Sequence, residues 1–302
     1  MKKFLLVFAL FLVVLSAAAA PAADKITVRV AHTIAPDSHY QKGLEHLGKL
    51  LDEASNGRIS LEIFHSSQLG SERDAIEGVS MGTLEMTLVS SAPLANFTNA
   101  FLVFDLPFII QDRQKAYEWM DGPEGKKILD SVLSKGMVGL GIWENGFRML
   151  TNSKKAVAKP EDLKGLKIRL MENPIHVGTF KTLGAYPVPM PFGELFTALQ
   201  QGTVDGQENP LATIYANHLH EVQRYVMETR HLVSFYLPAL GSRFTRRFTA
   251  TEQACVMRAF EAATAWHNQE VERAEAMYRK EIEAAGVEFI PLDVESFRKL
   301  AR

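Results

Sequence analysis

The 302-residue sequence predicts an α/β protein of two domains. Three observations carry this prediction. Short segments of alternating apolar residues, typical of strands, are separated by amphipathic helical segments. About 280 residues follow the apolar N-terminal segment, more than one hydrophobic core usually holds. The segment 251–285 contains neither proline nor glycine, and a helix of that length would extend about 50 Å, enough to span two domains.

Residues 1–23 have the layout of a secretory signal peptide. Lys2 and Lys3 precede an unbroken apolar run over 4–15, and small residues follow over 16–23. The apolar run is too short to span a bilayer comfortably. We therefore predict cleavage near residues 20–23 and export of the mature chain, with an uncleaved N-terminal anchor as the alternative.

In the first half of the chain, strand and helix patterns alternate. Apolar residues alternate over 26–30, 59–63 and 84–88, and a helical face runs over 38–55. Ser71 and Asp74 have the spacing of a capping box before a second helix. Helices near 112–120 and 124–135 precede a buried strand over 137–143. This alternation predicts right-handed crossovers and a mainly parallel sheet.

The second half repeats the arrangement. Strands are predicted over 147–151 and 166–170, and helices near 174–183, 193–201 and 211–216. Gly286 ends the long helix. Because no flexible linker is visible, we expect strands to join the domains. The predicted division places 24–146 and about 235–272 in domain I. Domain II takes 147–234 and about 273–302.

Composition and motifs exclude several functions. Removing residues 1–23 takes two lysines and changes the formal net charge from −2 to −4, with no basic stripe for nucleic acid. The sequence contains no HExxH or CxxC motif, and Gly139–Gly146 lacks the GxGxxG spacing of a dinucleotide loop. His218 and His220 have no third metal ligand at useful spacing. We therefore expect no metal, no cofactor and no enzyme activity.

Polar residues follow several predicted strands, where open sheets bind their ligands. Arg148 and Arg169 come from different elements, and two guanidinium groups that converge suit a carboxylate. The alternative is that both arginines are structural, paired with Asp or Glu. Arg169 is the less ordinary of the two, since Ile168 and Leu170 flank it in a strand. A charge among buried neighbours must be paired or must await an anion. The polar stretch 205–210, "DGQENP", is interpreted as a loop at the end of a strand.

Several segments resemble the periplasmic substrate-binding proteins of tripartite ATP-independent periplasmic (TRAP) transporters. They are "SSQLGSER" at 66–73, "GFRMLTNS" at 146–153, "DLKGLKIR" at 162–169, "PVPMPFGELFTALQQGTVDGQENP" at 187–210, and the long helix. Together they cover nearly the whole mature chain in the order of the family. The resemblance implies the two-domain periplasmic binding protein fold, with a ligand cleft between domains and a helix spanning both. Relatives usually run further than Arg302, so we expect a shortened or divergent last helix.

The resemblance also implies the site. The ligand is an organic acid whose carboxylate is clamped chiefly by Arg169. Arg148 matches a second arginine that assists in sialic-acid-binding members. Asn209 is expected to reach the carboxylate region, and Phe192 to pack against the body of the ligand. The protein would then deliver its ligand to TRAP membrane permease subunits in the periplasm, and we expect it to act as a monomer.

Four further positions bear on the identity of the ligand. His32 and Glu72 match residues that face the cleft from the first domain, and Ser90 replaces an acidic contact of the sialic-acid-binding members. With Gln207 they suit a hydroxylated acid, so the expected ligand is a sugar acid such as a uronate. A C4 dicarboxylate or keto acid is the alternative. The rival from another class is a periplasmic enzyme; no catalytic residues have diagnostic spacing for it, and Glu72 with His32 is the least implausible acid/base pair. A receptor for a signalling partner is the third alternative.

Overall fold

The computed structural model describes residues 24–301. The predicted signal peptide lies outside these residues. Within them no helix is both long enough and apolar enough to span a membrane.

The elements follow in chain order. The strands are β1 (Ile26–Ala31), β2 (Ile59–Phe64), β3 (Met86–Ser90), β4 (Met137–Gly139), β5 (Trp143–Phe147), β6 (Met149–Asn152), β7 (Lys167–Leu170), β8 (Tyr186–Pro189), β9 (Gly206–Asn209), β10 (Tyr225–Met227), β11 (Val233–Gly241) and β12 (Glu288–Ile290). The α-helices are α1 (His39–Ala54), α2 (Glu72–Met81), α3 (Ser91–Leu94), α4 (Arg113–Met120), α5 (Pro123–Ser131), α6 (Pro174–Thr182), α7 (Leu195–Gln200), α8 (Leu211–Ala216), α9 (Ala250–Ala284) and α10 (Val294–Ala301).

Local sequence explains where the principal helices begin and end. The predicted capping box of α2 is confirmed, because Ser71 Oγ accepts from the Asp74 N–H and the Asp74 carboxylate accepts from the Ser71 N–H. A second capping box, between Thr249 and Glu252, begins the 35-residue helix α9. This helix ends just before Gly286, whose φ of 89° favours glycine.

Two sheets divide the strands between them. The first has the order β2-β1-β3-β11-β4, with β5 also paired to β11, and the second has the order β12-β10-β6-β9-β7-β8. β1 is parallel to β2 and β3, as predicted. The prediction of a mainly parallel sheet is wrong for the rest of the first sheet. There β11, which returns from the second sheet, runs antiparallel to β3, β4 and β5.

The chain passes from one sheet to the other between Phe147 and Met149, and it returns between Met227 and Val233. Helix α9 packs on both halves: Phe260 and Ala263 contribute to the core beside β1, while Tyr278 and Ile282 belong to a core that includes residues of the second half. These crossings support the predicted domain division, which we retain as a proposal.

One segment of the proposed first domain packs against the second. Phe108 lies in the apolar cluster that holds Leu150 and Leu163, and its N–H donates to the carbonyl of His231 at 2.6 Å. Its φ of 59° is unusual for a non-glycine residue. The second domain therefore holds this segment in a conformation that the chain alone would not favour.

Four element predictions need correction. The single strand expected over 137–143 is interrupted at Gly141, where φ is 149° and an added Cβ would lie 2.7 Å from Thr264 Oγ1 of α9. The helices expected over 124–135 and 193–201 each include a short 3-10 segment. The stretch 205–210 is not a loop, because 206–209 forms strand β9, buried at every position. Its polar side chains are hydrogen-bonded to neighbouring residues, which makes their burial tolerable.

Candidate functional site

Arg169 is a buried cation with an unused donor. Strand β7 places it between Ile168 and Leu170, and the residue is only 2% exposed. Nε and Nη2 donate to the carbonyl of Met190 at 3.0 and 2.7 Å. Nη1 is buried and has no hydrogen-bond partner among the described residues. The guanidinium also lies 5.7 Å from the ring centroid of Phe192. One side of the guanidinium is thus fixed, and a donor on the other remains available for a ligand.

Burial lowers the pKa of Arg169 to about 10. The negative charges of Glu208 and Glu72 oppose this shift, whereas the positive charge of Arg148 adds to it. A shift of this size disfavours the charged form by about 3 kcal/mol relative to the unfolded chain. An anion that contacts the free donor would offset this cost. The electrostatics therefore favour a negatively charged ligand.

The space beside Arg169 is small in this structure. A cavity of about 10 Å³ lies against Glu72, Arg169, Met171 and Phe192. Such a volume holds about one water molecule. The two halves of the protein therefore approach each other closely here.

Each guanidinium nitrogen of Arg148 has a protein partner. It is fully buried, and its Nη2 donates to Glu208 Oε1 at 2.8 Å while Nε pairs with Glu208 Oε2. Nη1 donates to Ser234 Oγ at 3.3 Å. The arrangement matches the structural alternative raised for this arginine, and contact between Arg148 and a ligand stays a prediction.

Glu208 is a functional candidate that the sequence analysis missed. Burial by itself would raise the pKa of this carboxyl. The charge of Arg148, with hydrogen bonds from His231 and Arg148, instead holds it well below its usual range. Glu208 therefore stays ionised and neutralises Arg148, which leaves Arg169 as the neighbouring cation without a bonded carboxylate. Had 206–209 been predicted as a strand, the alternation of its side chains would have placed Glu208 on the face opposite Gln207 and Asn209.

Glu72 and Ser90 lie together, as expected for residues of one site. Ser90 donates to the Glu72 carboxylate through its N–H at 2.6 Å and through its Oγ at 2.8 Å. Burial raises the pKa of Glu72, although the hydrogen bonds from Ser90 oppose the shift. Since Glu72 also lines the cavity beside Arg169, it can accept hydrogen bonds from a hydroxylated ligand there.

Gln207 and Asn209 belong to a buried hydrogen-bond chain on the second sheet. Asn209 Nδ2 donates to Gln207 Oε1 at 2.5 Å, and Gln207 Nε2 donates to Thr151 Oγ1 at 2.9 Å. Thr151 in turn donates to Gln223 Oε1 at 2.7 Å. Gln207 is the register partner of Arg169 in the adjacent strand. These hydrogen bonds fix both amides beside β7. They also involve Thr151 and Gln223, which the motifs did not indicate.

Of the predicted site residues, only Arg169, Glu72 and Phe192 line the cavity beside Arg169, and His32 is among those that do not. Its Nε2 bonds Gln41 Oε1 at 2.9 Å, and its Nδ1 accepts from the Ile34 N–H at 3.3 Å. Burial lowers the pKa of His32 to about 4. With both ring nitrogens engaged, His32 holds the β1–α1 connection in place, and contact with a ligand stays a prediction.

Buried histidines should make the fold sensitive to acid. Burial also lowers the pKa of His267 to about 4. Because an unfolded histidine protonates near pH 6.5, stability is full above that value and is lost as the pH falls towards 4. Each of His32 and His267 should contribute about 2 kcal/mol of loss by pH 5. In urea titrations at pH 8 and 5, His267→Gln should reduce this difference, whereas His218→Gln, at an exposed position, should leave it unchanged. An equal difference in all three proteins would contradict the assignment.

Two sheets joined by crossing strands and one long helix, with a buried cation between the halves, define a two-domain solute-binding protein. The chain belongs to the bacterial extracellular solute-binding protein family 7, whose sequence model matches residues 30–301. Members of this family are periplasmic receptors of TRAP transporters; they bind substrates rather than transform them. Such receptors bind small carboxylate ligands and work with a TRAP permease.

Three solved structures are closely similar. A TRAP solute-binding protein from Polaromonas sp. JS666, bound to D-erythronate, is 37% identical with a TM-score of 0.89 over 92% of each chain. The sugar-acid-binding protein of Advenella mimigardefordensis, in complex with galactonate, is 34% identical with a TM-score of 0.89 over 92% of this chain and 89% of that one. A TRAP solute-binding protein from Xanthobacter autotrophicus Py2, with β-D-galacturonate, is 33% identical with a TM-score of 0.88 over 91% and 92%.

Proposed function

We propose that this receptor binds a sugar acid, such as a uronate, through a clamp between Arg169 and the ligand carboxylate, and delivers it to its TRAP permease. The observation that carries the proposal is the buried guanidinium of Arg169, which keeps one donor without a partner. A planar guanidinium matches two carboxylate oxygens, and the low dielectric of a buried site strengthens the resulting hydrogen bonds.

The remaining site residues take supporting roles in this proposal. Phe192 packs against the body of the ligand, and Glu72, held by Ser90, accepts from its hydroxyl groups. Asn209 and Gln207 present amides beside the carboxylate. Arg148, paired with Glu208, is the second arginine that assists, and His32 fixes the loop that follows β1. We further propose cleavage of the leader near residues 20–23, a monomer, and no nucleic-acid partner.

The ligands of the three similar structures support a sugar acid. Erythronate, galactonate and galacturonate each combine one carboxylate with several hydroxyl groups, and the present site offers one free arginine donor beside hydroxyl and carboxylate acceptors. A C4 dicarboxylate or a keto acid is the second candidate, since either would also satisfy Arg169.

The proposed cycle has three stages. With the halves apart, the acid meets Arg169; closure then excludes water and strengthens each charge-assisted hydrogen bond. The closed shape distinguishes loaded from empty receptor for the permease. The ligand stabilises closure only to the extent that it binds the closed form more tightly than the open one.

A thermal-shift panel tests the ligand class directly. At 100 times its dissociation constant, a cognate acid should stabilise the protein by about 2.7 kcal/mol. We expect this effect from uronates or aldonates, with smaller effects from succinate and from keto acids at equal concentration. The neutral sugar galactose is the matched control, because it keeps the hydroxyl groups and lacks the carboxylate.

Two results would contradict the proposal. Equal stabilisation by galactose and galacturonate would show that the carboxylate is not the recognised group. Recovery of a chemically altered acid, detected by mass spectrometry after incubation, would point to an enzyme that uses Glu72 or His32.

A further inference from the structure

Within residues 24–301, three connections join the two halves of the protein, and charged side chains gather where they meet. The connections are the β5–β6 crossing at Phe147, the β10–β11 crossing over 228–232, and helix α9. Glu275 lies in α9 between Ala263, which packs in the core beside β1, and Tyr278, which packs in the core that includes the second half. A rotation of one half against the other changes the backbone at these connections, and Glu275 lies among them.

Glu275 binds two arginines that belong to different elements. Its Oε2 accepts from Arg113 Nη2 at 2.6 Å, and its Oε1 accepts from Arg230 Nη1 at 3.1 Å. Arg113 is the first residue of α4 in the first half, whereas Arg230 lies within the β10–β11 crossing. One carboxylate thus ties the long helix to the first half and to a crossing.

The same two arginines contact the ring of Phe147 at the other crossing. The guanidinium carbon of Arg230 lies 3.9 Å from the ring centroid, and that of Arg113 lies 5.7 Å from it. Phe147 is only 4% exposed, and a cation over the face of an aromatic ring is attracted to it. The two guanidinium groups therefore connect α9 with both crossings.

A buried carboxylate anchors Arg113 in the first half. Arg113 Nε donates to both oxygens of Glu144 at 2.8 and 2.9 Å, and the Tyr117 hydroxyl donates to the same carboxylate. The Glu144 side chain is fully buried, and the Glu144 N–H donates to Asn268 Oδ1 of α9 at 2.8 Å. Because separating a buried ion pair is costly, Arg113 is the fixed end of the cluster.

Arg230 is the end that can move. Its side chain is 46% exposed, and that of its partner Glu275 is 26% exposed. The backbone φ of Arg230 is 42°, in the left-handed region that non-glycine residues rarely adopt. A residue in such a conformation carries a free-energy cost that its surroundings must offset. The contacts of Arg230 with Glu275 and Phe147 do so here, and losing them favours another conformation of the β10–β11 crossing.

We propose that Glu275, Arg113 and Arg230 form a hinge clasp, which holds the two crossings and α9 in the arrangement that brings the halves together. None of the three is among the described residues that line the cavity beside Arg169, so they are positioning residues that act through the orientation of the halves. The proposal rests on the closure step of the proposed cycle and not on which acid binds. When the clasp is lost, the loaded protein opens sooner and releases its ligand faster, while capture by the open form is unchanged.

Stopped-flow binding of D-galacturonate to the mature chain tests the hinge clasp. Glu275→Gln keeps the size of the side chain and removes its charge, so it should raise the dissociation rate by about 3- to 10-fold; Arg230→Gln, which ends one partly exposed pair, should raise it by about 2- to 5-fold. The association rate should stay within twofold in both. Glu270→Gln breaks an exposed pair with Arg273 on the same helix, and this matched control should change neither rate.

A double variant distinguishes a direct pair from two independent effects. Once Glu275 has lost its charge, Arg230 has no carboxylate to pair with in the clasp. Glu275→Gln, Arg230→Gln should therefore release D-galacturonate at nearly the rate of Glu275→Gln alone. A rate that equals the product of the two single effects would show that the residues act separately, which would overturn the clasp.

Hydrogen exchange of the ligand-free protein measures the hinge clasp without any acid. The Arg148 N–H donates to the Leu232 carbonyl at 2.9 Å and so joins the two crossings. Glu275→Gln should speed exchange of this amide by about 3- to 10-fold, because local opening becomes easier when neighbouring contacts are lost. Glu270→Gln should leave it unchanged. Mass spectrometry of peptides over 143–149 measures the rate, and thermal unfolding shows that each variant is folded.

The outcomes separate the hinge clasp from the proposed function. If Glu275→Gln and Glu270→Gln release D-galacturonate at the same rate, the clasp is wrong while ligand binding stands. If Glu275→Gln slows association and leaves dissociation unchanged, the clasp is also wrong. If neither D-galacturonate, D-galactonate nor succinate binds the wild type, the proposed function fails, and amide exchange decides the clasp: equal exchange in Glu275→Gln and Glu270→Gln overturns it.

Discussion

Arg169→Ala should lower the affinity for the cognate acid by about 2–5 kcal/mol, roughly 30- to 5,000-fold. The substitution removes the buried donor that keeps no protein partner and leaves the ligand carboxylate desolvated without a counter-charge. Titration calorimetry of the mature chain with galacturonate or galactonate measures the effect. Arg169→Lys should recover only part of the affinity, because an ammonium cannot present the planar pair of donors that a guanidinium offers.

Two controls separate a lost ligand contact from a lost fold. Arg224→Ala removes a largely exposed arginine that pairs with Glu288 and should leave the affinity unchanged. Arg169→Met keeps most of the side-chain volume without the charge. Since burial lowers the pKa of Arg169 to about 10, the charge opposes folding, and Arg169→Met should not lower the free energy of unfolding of the ligand-free protein. Unchanged affinity in Arg169→Ala would show that the clamp lies elsewhere.

The sequence predicted the elements of the fold well where local signals were strong. The capping box at Ser71, the ends of α8 and the long helix to Gly286 depend on neighbouring residues and were placed correctly to within a residue or two. Strand direction was predicted less well, because it depends on distant pairing. Nothing near Val233 in the sequence indicates that β11 enters the first sheet antiparallel to β3.

Burial of polar residues limited the prediction of the site. Residues 205–210 look like a loop because Gln207, Glu208 and Asn209 are polar, and only the partners of these side chains show that they form a buried strand. For Arg169 the apolar neighbours in β7 sufficed to predict a buried charge. For Arg148 they did not, since its partner Glu208 lies 60 residues further along the chain.

The pair between Arg148 and Glu208 is the second place where one substitution should have a large effect. Glu208→Gln should lower the free energy of unfolding by about 3–5 kcal/mol, because it leaves the guanidinium of Arg148 buried without a counter-charge. Urea unfolding of the ligand-free protein at pH 7 measures the loss. Since the pKa of Glu208 is held well below its usual range, the wild type keeps this contribution at neutral pH and loses it only as the pH falls well into the acid range.

Because the Arg148–Glu208 pair lies beside Arg169, its loss should change ligand binding as well as stability. In Glu208→Gln, Arg148 and Arg169 form two buried positive charges, and an acid that binds Arg169 then relieves repulsion as well as forming hydrogen bonds. The same ligand should therefore stabilise the variant more than the wild type.

The double variant Arg148→Met, Glu208→Leu removes both charges and should recover most of the lost stability. Arg29→Met breaks the more exposed pair with Glu85 and should change stability by less than about 1 kcal/mol. A loss in Glu208→Gln no larger than in Arg29→Met would mean that Glu208 does not neutralise Arg148.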